Sequence, residues 1–283
     1  MYFPKQVEII EVGPRDGLQN EKQFVPTEQK KVLIDKLIAT GIKRIETASF
    51  VHPQKVPQMA DAAEICAFSK ERGIDFLALT PNSKALQRAI EAGVPQIAVF
   101  VGATETFNKK NIGRSIEESL QECKTIIEMA KQHLIRVRAY VSMSFSCPYE
   151  GQVSFSQMNK VVQRFSEFGV DEIDIGDTNG QANPRIIYER FSALQESYPS
   201  TSFVAHFHDT NGFGYANVIA ALQAGVTKFD SSIAGLGGCP FSKGATGNIA
   251  TAQLCKMLEE MRITTGLNLP AIQIASRFAK SLI

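Results

Sequence analysis

His206 and His208 are two of the chain's four histidines, and they stand two residues apart in the run Phe203-Val204-Ala205-His206-Phe207-His208-Asp209. On an extended strand that spacing turns both imidazoles to one face. A lone histidine there would read as an ordinary core or surface residue. Two on one face, followed by Asp209, read better as a metal site. Other residues able to do chemistry sit in short polar clusters, each closing an apolar run. Arg15 and Asp16 lie in Gly13-Pro14-Arg15-Asp16-Gly17-Leu18-Gln19, where the glycines permit close backbone approach. Glu46 interrupts an apolar segment, Asp177 ends Asp174-Ile175-Gly176-Asp177-Thr178, and Cys239 and Asn248 flank a glycine-rich stretch. An arginine near a metal is placed to stabilise an enolate oxygen, and Glu46 to orient that arginine. Asp177 fits either a helix cap or support for the site. Cys239, preceded by two glycines and followed by Pro240, is a loop thiol suited to proton donation or nucleophilic attack. Cys66, Cys123 and Cys255 fall in helical runs and read as packing residues, while Cys147 follows a strand and fits either role. Lys109-Lys110-Asn111 reads as a solvated turn or as a contact for the phosphates of a nucleotide-like cofactor.

The elements that must position these residues show in a repeat. A glycine, a β-branched residue, two polar or turn-forming positions and a short apolar run recur at Gly41–Ile45, Gly93–Ile97, Gly169–Ile173 and Gly225–Phe229, and in shortened form at Gly73–Phe76. Each is a helix ending on a left-handed glycine and passing at once into a buried strand. The first such helix is expected over Thr27–Thr40, with Val32, Leu33, Lys36 and Leu37 around one turn. Strands are expected at Val7–Val12, Arg44–Phe50, Asp75–Thr80, Gln96–Gly102, Val137–Ser144, Glu172–Thr178, Phe203–Asp209 and Lys228–Leu236. Regular β–α alternation at that count predicts a (β/α)8 TIM barrel, with one more helix over Leu269–Ile283. An open doubly wound sheet lacks its Gly-x-Gly-x-x-Gly after the first strand. No composition break marks a second domain, so residues 1–283 are expected to form a single catalytic barrel.

In such a barrel the chemistry sits at the C-terminal ends of the strands, where the polar clusters fall. Closure makes the seventh, eighth and first strands contiguous, which brings Asp16 and Asn248 toward His206 and His208. That mixed nitrogen and oxygen set suits Mg2+ or Mn2+. Thirty basic against 29 acidic residues leave no field to recruit nucleic acid or a membrane. The absence of a long apolar run or a leader, and five cysteines without a Cys-x-x-Cys pair, lead to a cytoplasmic expectation.

Taken together, the chain resembles the 3-hydroxy-3-methylglutaryl-CoA lyase family of metal-dependent TIM barrels. The resemblance runs through Gly13–Gln19, Glu46–Phe50, Lys109–Ile112, Cys147–Gly151, Gly176–Thr178 and His206–Asn211. It is densest at Asp230–Pro240 with Gly247-Asn248. Arg-Asp-Gly-x-Gln and His-x-His mark the wider superfamily, whereas Gly-Leu-Gly-Gly-Cys-Pro is the more specific lyase signature. The resemblance implies Asp16, His206, His208 and Asn248 as metal ligands and Arg15, Cys239, Glu46, Asp177 and His206 as catalytic or supporting residues. It implies substrate contacts from Arg15, Gln19, Lys110 and Asn111. The implied reaction splits (S)-3-hydroxy-3-methylglutaryl-CoA into acetyl-CoA and acetoacetate, as in leucine degradation and ketone-body formation. An acyl-CoA is then the partner, and a homodimer the expected assembly. Either Cys239 or a histidine acting through water would protonate the enolate, and the base is left unassigned. Asn179 and Asn211 depart from the family pattern, at positions near the acyl pocket. Rival readings are a Claisen-type acyl-CoA synthase, which usually carries an added C-terminal domain, a pyruvate-releasing aldolase, and a silent metal-dependent binding module.

Overall fold

A computed structural model describes residues 3–238 and 247–283. Its strands are β1 (Glu8–Glu11), β2 (Arg44–Ser49), β3 (Asp75–Leu79), β4 (Gln96–Gly102), β5 (Arg136–Ser142), β6 (Ser146–Cys147), β7 (Gly151–Gln152), β8 (Glu172–Asp177), β9 (Phe203–Phe207) and β10 (Lys228–Ser231). Its helices are α1 (Thr27–Ile38), α2 (Ala62–Glu71), α3 (Ser83–Glu91), α4 (Glu105–Ile112), α5 (Ile116–Gln132), α6 (Phe155–Glu167), α7 (Pro184–Ser197), α8 (Gly214–Gln223), α9 (Thr251–Glu260) and α10 (Leu269–Lys280). Eight strands close in the order β1-β10-β9-β8-β5-β4-β3-β2, while β6 and β7 form a small separate hairpin. Every barrel pairing is parallel, and β1 joins β10 with Ile10 opposite Asp230. The predicted TIM barrel is the fold.

The glycine repeat does what its pattern requires. Gly41 (φ 86°) and Gly225 (φ 90°) end helices in left-handed backbone and deliver the chain to β2 and β10. Alternation along the strands then divides the side chains. One set packs outward against the helices in the main core. Ile10, Val12, Leu77, Leu79, Ala98, Tyr140 and Val204 form a separate buried cluster inside the barrel. Below them the interior is ionic: Arg44 reaches Glu172 through two donors at 2.7 and 3.2 Å, and Lys228 reaches the same carboxylate at 3.2 Å.

Four local expectations change. β10 stops at Ser231 because Ile233–Gly235 turns as a 3-10 helix with Ala234 at φ 59°, a conformation no strand can contain. His208 lies one residue beyond β9, held by a bridge to Asn248. Lys109, Lys110 and Asn111 are helical. Glu105 in the first turn of α4 and the lysines in its last complement the helix dipole, and Gly113 caps the end at φ 73°. In α1 the buried stripe is Lys30, Leu33, Ile34 and Leu37, so Val32 faces solvent. The C-terminal helix α10 packs on α1 and α9, burying Ile272, Ala275 and Ala279.

Candidate active site

At the C-terminal end of β1 the amides of Arg15, Asp16 and Gly17 all turn back to the Val12 carbonyl, winding Gly13–Gly17 into one π-helical turn. This compact turn fits only because its ends are glycines. A Cβ on Gly13 would meet Glu11 Oε1 at 2.6 Å, and one on Gly17 would meet Ser232 Oγ at 2.8 Å. The turn aims Arg15 across the barrel mouth. One guanidinium nitrogen lies 2.9 Å from Asp16 Oδ1, the other 2.8 Å from Glu46 Oε2, and the group sits over the Tyr140 ring. Glu46 is fully buried on β2. Burial alone would lower the Arg15 pKa, but the Glu46 and Asp16 carboxylates reverse that and hold it above its ordinary value. Burial raises the Glu46 carboxyl, with Arg15 opposing it. Arg15 is therefore a fixed cation rather than a titrating group.

Beside this pair, ligand atoms of Asp16, His206 and His208 lie within 4.8 Å of one another. The two imidazoles turn their Nε2 atoms together at 3.2 Å. Two like nitrogens at that distance are reconciled by a proton between them or by a cation they share. Asn248 completes the group: its Nδ2 donates to Asp16 Oδ2 at 2.8 Å and to the Leu236 carbonyl at 3.0 Å. Burial would raise the Asp16 carboxyl, but Arg15, the two histidines and Asn248 bring it down to about 2. A permanently charged oxygen donor beside two imidazoles suits a divalent cation of the Mg2+, Mn2+ class.

The HMGL-like family description matches residues 6–278. The chain belongs to this family. The bovine protein named mitochondrial hydroxymethylglutaryl-CoA lyase is 47% identical over 98% of this chain and 85% of its own. The crystal structure of the Bacillus subtilis HMG-CoA lyase superposes with a TM-score of 0.96 at 42% identity, covering 99% of this chain and 95% of that one. An HMG-CoA lyase from Acinetobacter baumannii, in complex with coenzyme A and 3-methylmalate, gives 0.93 at 35% identity, covering 100% and 92%.

In this HMGL-like barrel the structure brings Arg15, Asp16, Glu46, His206, His208 and Asn248 into one cluster. Asp177 lies near it, but its carboxylate accepts from the Gln181 and Ala182 amides, the capping arrangement. Burial raises it to about 6 against those bonds and the charge of His206. Gln19 Oε1, at the end of the Arg15 turn, is buried with no hydrogen-bond partner among the described residues. Lys110 and Asn111 are exposed on α4, with Lys110 Nζ over the Tyr149 ring at 4.1 Å. Cys239 lies outside the described residues. Gly237 and Gly247, described residues on either side of it in sequence, both lie at the site. A Cβ on Gly237 would come within 2.7 Å of Asn248 Nδ2, and one on Gly247 within 1.9 Å of the Gly235 carbonyl. Cys66, Cys123 and Cys255 are buried in helices as expected, and Cys147 is buried too, with Thr104 Oγ1 at 3.2 Å from its sulfur.

Sequence reasoning missed the groups behind the cluster. Arg138 is completely buried within the barrel, with Nη2 at 2.8 Å from Asp174 Oδ2 and 2.6 Å from Asp230 Oδ2. Glu11 Oε1 accepts from the Gly13 and Ile233 amides, and its Oε2 from Thr251 Oγ1. A signal was present: charged residues at alternate positions of otherwise apolar strands, such as Glu172 and Asp174, mark a polar barrel interior.

Proposed function

We propose that this chain cleaves (S)-3-hydroxy-3-methylglutaryl-CoA to acetyl-CoA and acetoacetate. The observation that carries the reading is the Asp16–His206–His208 cluster set against the Arg15–Glu46 ion pair, in a chain whose near-full-length relatives are named for this lyase activity. Asp16, His206, His208 and Asn248 would hold a divalent cation, Mg2+ or Mn2+. When bound, such an ion supplies Lewis acidity that lowers the pKa of the substrate's tertiary hydroxyl. Once a base at the site takes that proton, the oxygen's electron pair forms the ketone of acetoacetate, and the broken C–C bond leaves its pair on the acetyl-CoA carbon as an enolate. Arg15, locked in its charged form by Glu46 and Asp16, stabilises the enolate oxygen without reorganising. Cys239, or a histidine acting through water, delivers the proton that completes acetyl-CoA. Asp177 supports the turn after β8, and Gln19, with Lys110 and Asn111 on α4, contacts the acyl-CoA.

The same reading carries a single catalytic unit over 1–283, a homodimer, no nucleic-acid or membrane partner, and a cytoplasmic address. The described cysteines are all free, which suits a reducing compartment. Among the described residues no helix is long and apolar enough to cross a membrane.

The test is incubation of the purified protein with the acyl-CoA and Mg2+, assaying both products, beside EDTA-treated and Cys239→Ala samples. Equimolar acetyl-CoA and acetoacetate, abolished by EDTA and severely reduced in the variant, is the expected result. No cleavage with any divalent metal would overturn the substrate assignment. A reaction indifferent to Cys239→Ala would remove the thiol from it.

A further inference from the structure

His206 and Asp230 sit side by side on neighbouring strands, because β9 and β10 pair with Ala205 opposite Phe229 and the next residue of each turns inward. Asp230 Oδ2 lies 3.1 Å from His206 Nδ1. The same oxygen accepts from Arg138 Nη2 at 2.6 Å, and Arg138 also holds Asp174. Arg138 is completely buried and Asp230 nearly so, so neither can move to water for a different partner. An ionised carboxylate only accepts hydrogen bonds, which makes Nδ1 the protonated ring nitrogen. The opposite nitrogen, Nε2, is the one that faces His208 Nε2 at 3.2 Å and belongs to the Asp16 cluster.

We infer that Asp230, pinned by Arg138, is a positioning residue that fixes the ring orientation and tautomer of His206, so that Nε2 presents its lone pair to a divalent cation. This rests on the metal-site reading above. The chain of contacts runs from the centre of the barrel to its mouth: Arg138 holds Asp230, Asp230 holds His206, and His206 would hold the ion. Asp174 shares Arg138 and lies close to His206, yet no hydrogen bond joins its carboxylate to the ring in the way Asp230 is joined. The two acids therefore separate a positioning role from a general need to neutralise Arg138.

The experiment is titration of the full-length, metal-free protein with Mn2+ alone, followed through the EPR signal of free Mn2+, for wild type, Asp230→Ala, Asp230→Asn and Asp174→Asn. Asp230→Ala is expected to weaken Mn2+ binding by about 10- to 100-fold, the usual cost of losing the partner that orients a ligating histidine. Asp230→Asn retains the shape and a carbonyl acceptor, so it serves where the alanine variant does not fold; its loss is expected to be smaller but measurable. Asp174→Asn should stay within about threefold of wild type, since the hydrogen bond to His206 survives. Asp230 variants that bind Mn2+ like wild type would overturn the inference, and so would an equal loss in Asp174→Asn. Wild-type protein that takes up no Mn2+ would instead sink the underlying metal site, a failure visible before any variant is compared.

Discussion

Arg15 and Glu46 are both withdrawn from water, and each is tolerable there because of the other. A buried ion pair adds little net stability, but removing one partner strands a charge. Glu46→Ala is accordingly expected to cost about 3 kcal/mol or more of folding stability by urea denaturation, even with Asp16 still beside the guanidinium. An unchanged midpoint would mean that Asp16 alone satisfies Arg15. Arg15→Met tests chemistry instead. Glu46 can take up a proton when its cation is gone, so the fold survives while the proposed donor to the enolate is removed. Turnover at saturating substrate should fall by about 10²- to 10³-fold, as for loss of one oxyanion donor. A variant of near wild-type turnover would take Arg15 out of the reaction.

Among the elements, the turn after β1 and the stretch after β10 depend on one carboxylate. Glu11 bonds the Gly13 amide, the Ile233 amide and Thr251, tying the turn that bears Arg15 and Asp16 to the Ile233–Gly235 turn and to α9. Burial raises its pKa from 4.5 to about 7 despite those three donors. The folded form thus keeps its proton where the unfolded chain has lost it. The stabilisation from this group is complete below about pH 4.5 and disappears as pH rises through about 7. Glu11→Gln never ionises, and its amide can still accept from both backbone groups. Its stability relative to wild type should therefore improve between pH 4.5 and 7, by at most about 3 kcal/mol in parallel denaturation curves. A constant difference across that range would show that Glu11 does not titrate there. Gly247→Ala probes the packing of Gly247 on Gly235. Its methyl would fall on the Gly235 carbonyl, a backbone atom that cannot swing aside, so Gly247 and Gly235 must part. Activity should collapse while the far-UV circular dichroism spectrum stays that of the intact barrel. Retained activity would show that this contact is not needed.

For the molecule as a whole, closure between β1 and β10 is the event that makes a site. It sets Asp16, at the start of the chain, against Asn248, 232 residues later. A ligand bound at that seam favours the folded state over the unfolded one. At a concentration about 100 times its dissociation constant, Mn2+ should add about 2.7 kcal/mol, which for a chain of this size is a rise of roughly 4–5 °C in melting temperature. EDTA should reverse it. A melting temperature indifferent to Mn2+ would argue that Asp16, His206 and His208 do not act as one site.

Much of this was open to reading along the chain. The helix-ending glycines, the count of strands and the i, i+2 histidines are local patterns, and local backbone chemistry suffices to interpret them: only glycine enters left-handed backbone cheaply, and a strand repeats every second residue. They determined the barrel, the end of it where the polar cluster gathers, and the kinds of donor atom that cluster offers. What periodicity cannot supply is the partner across the barrel. That Arg138 lies between Asp174 and Asp230, that Asp230 rather than Asp174 bonds His206, and that Glu11 reaches Ile233 depend on how far each strand is shifted against its neighbours when the sheet closes. Alternation says which face a side chain takes. The stagger of a closed parallel sheet, set by packing of every strand and helix at once, decides which side chains then stand at the same height.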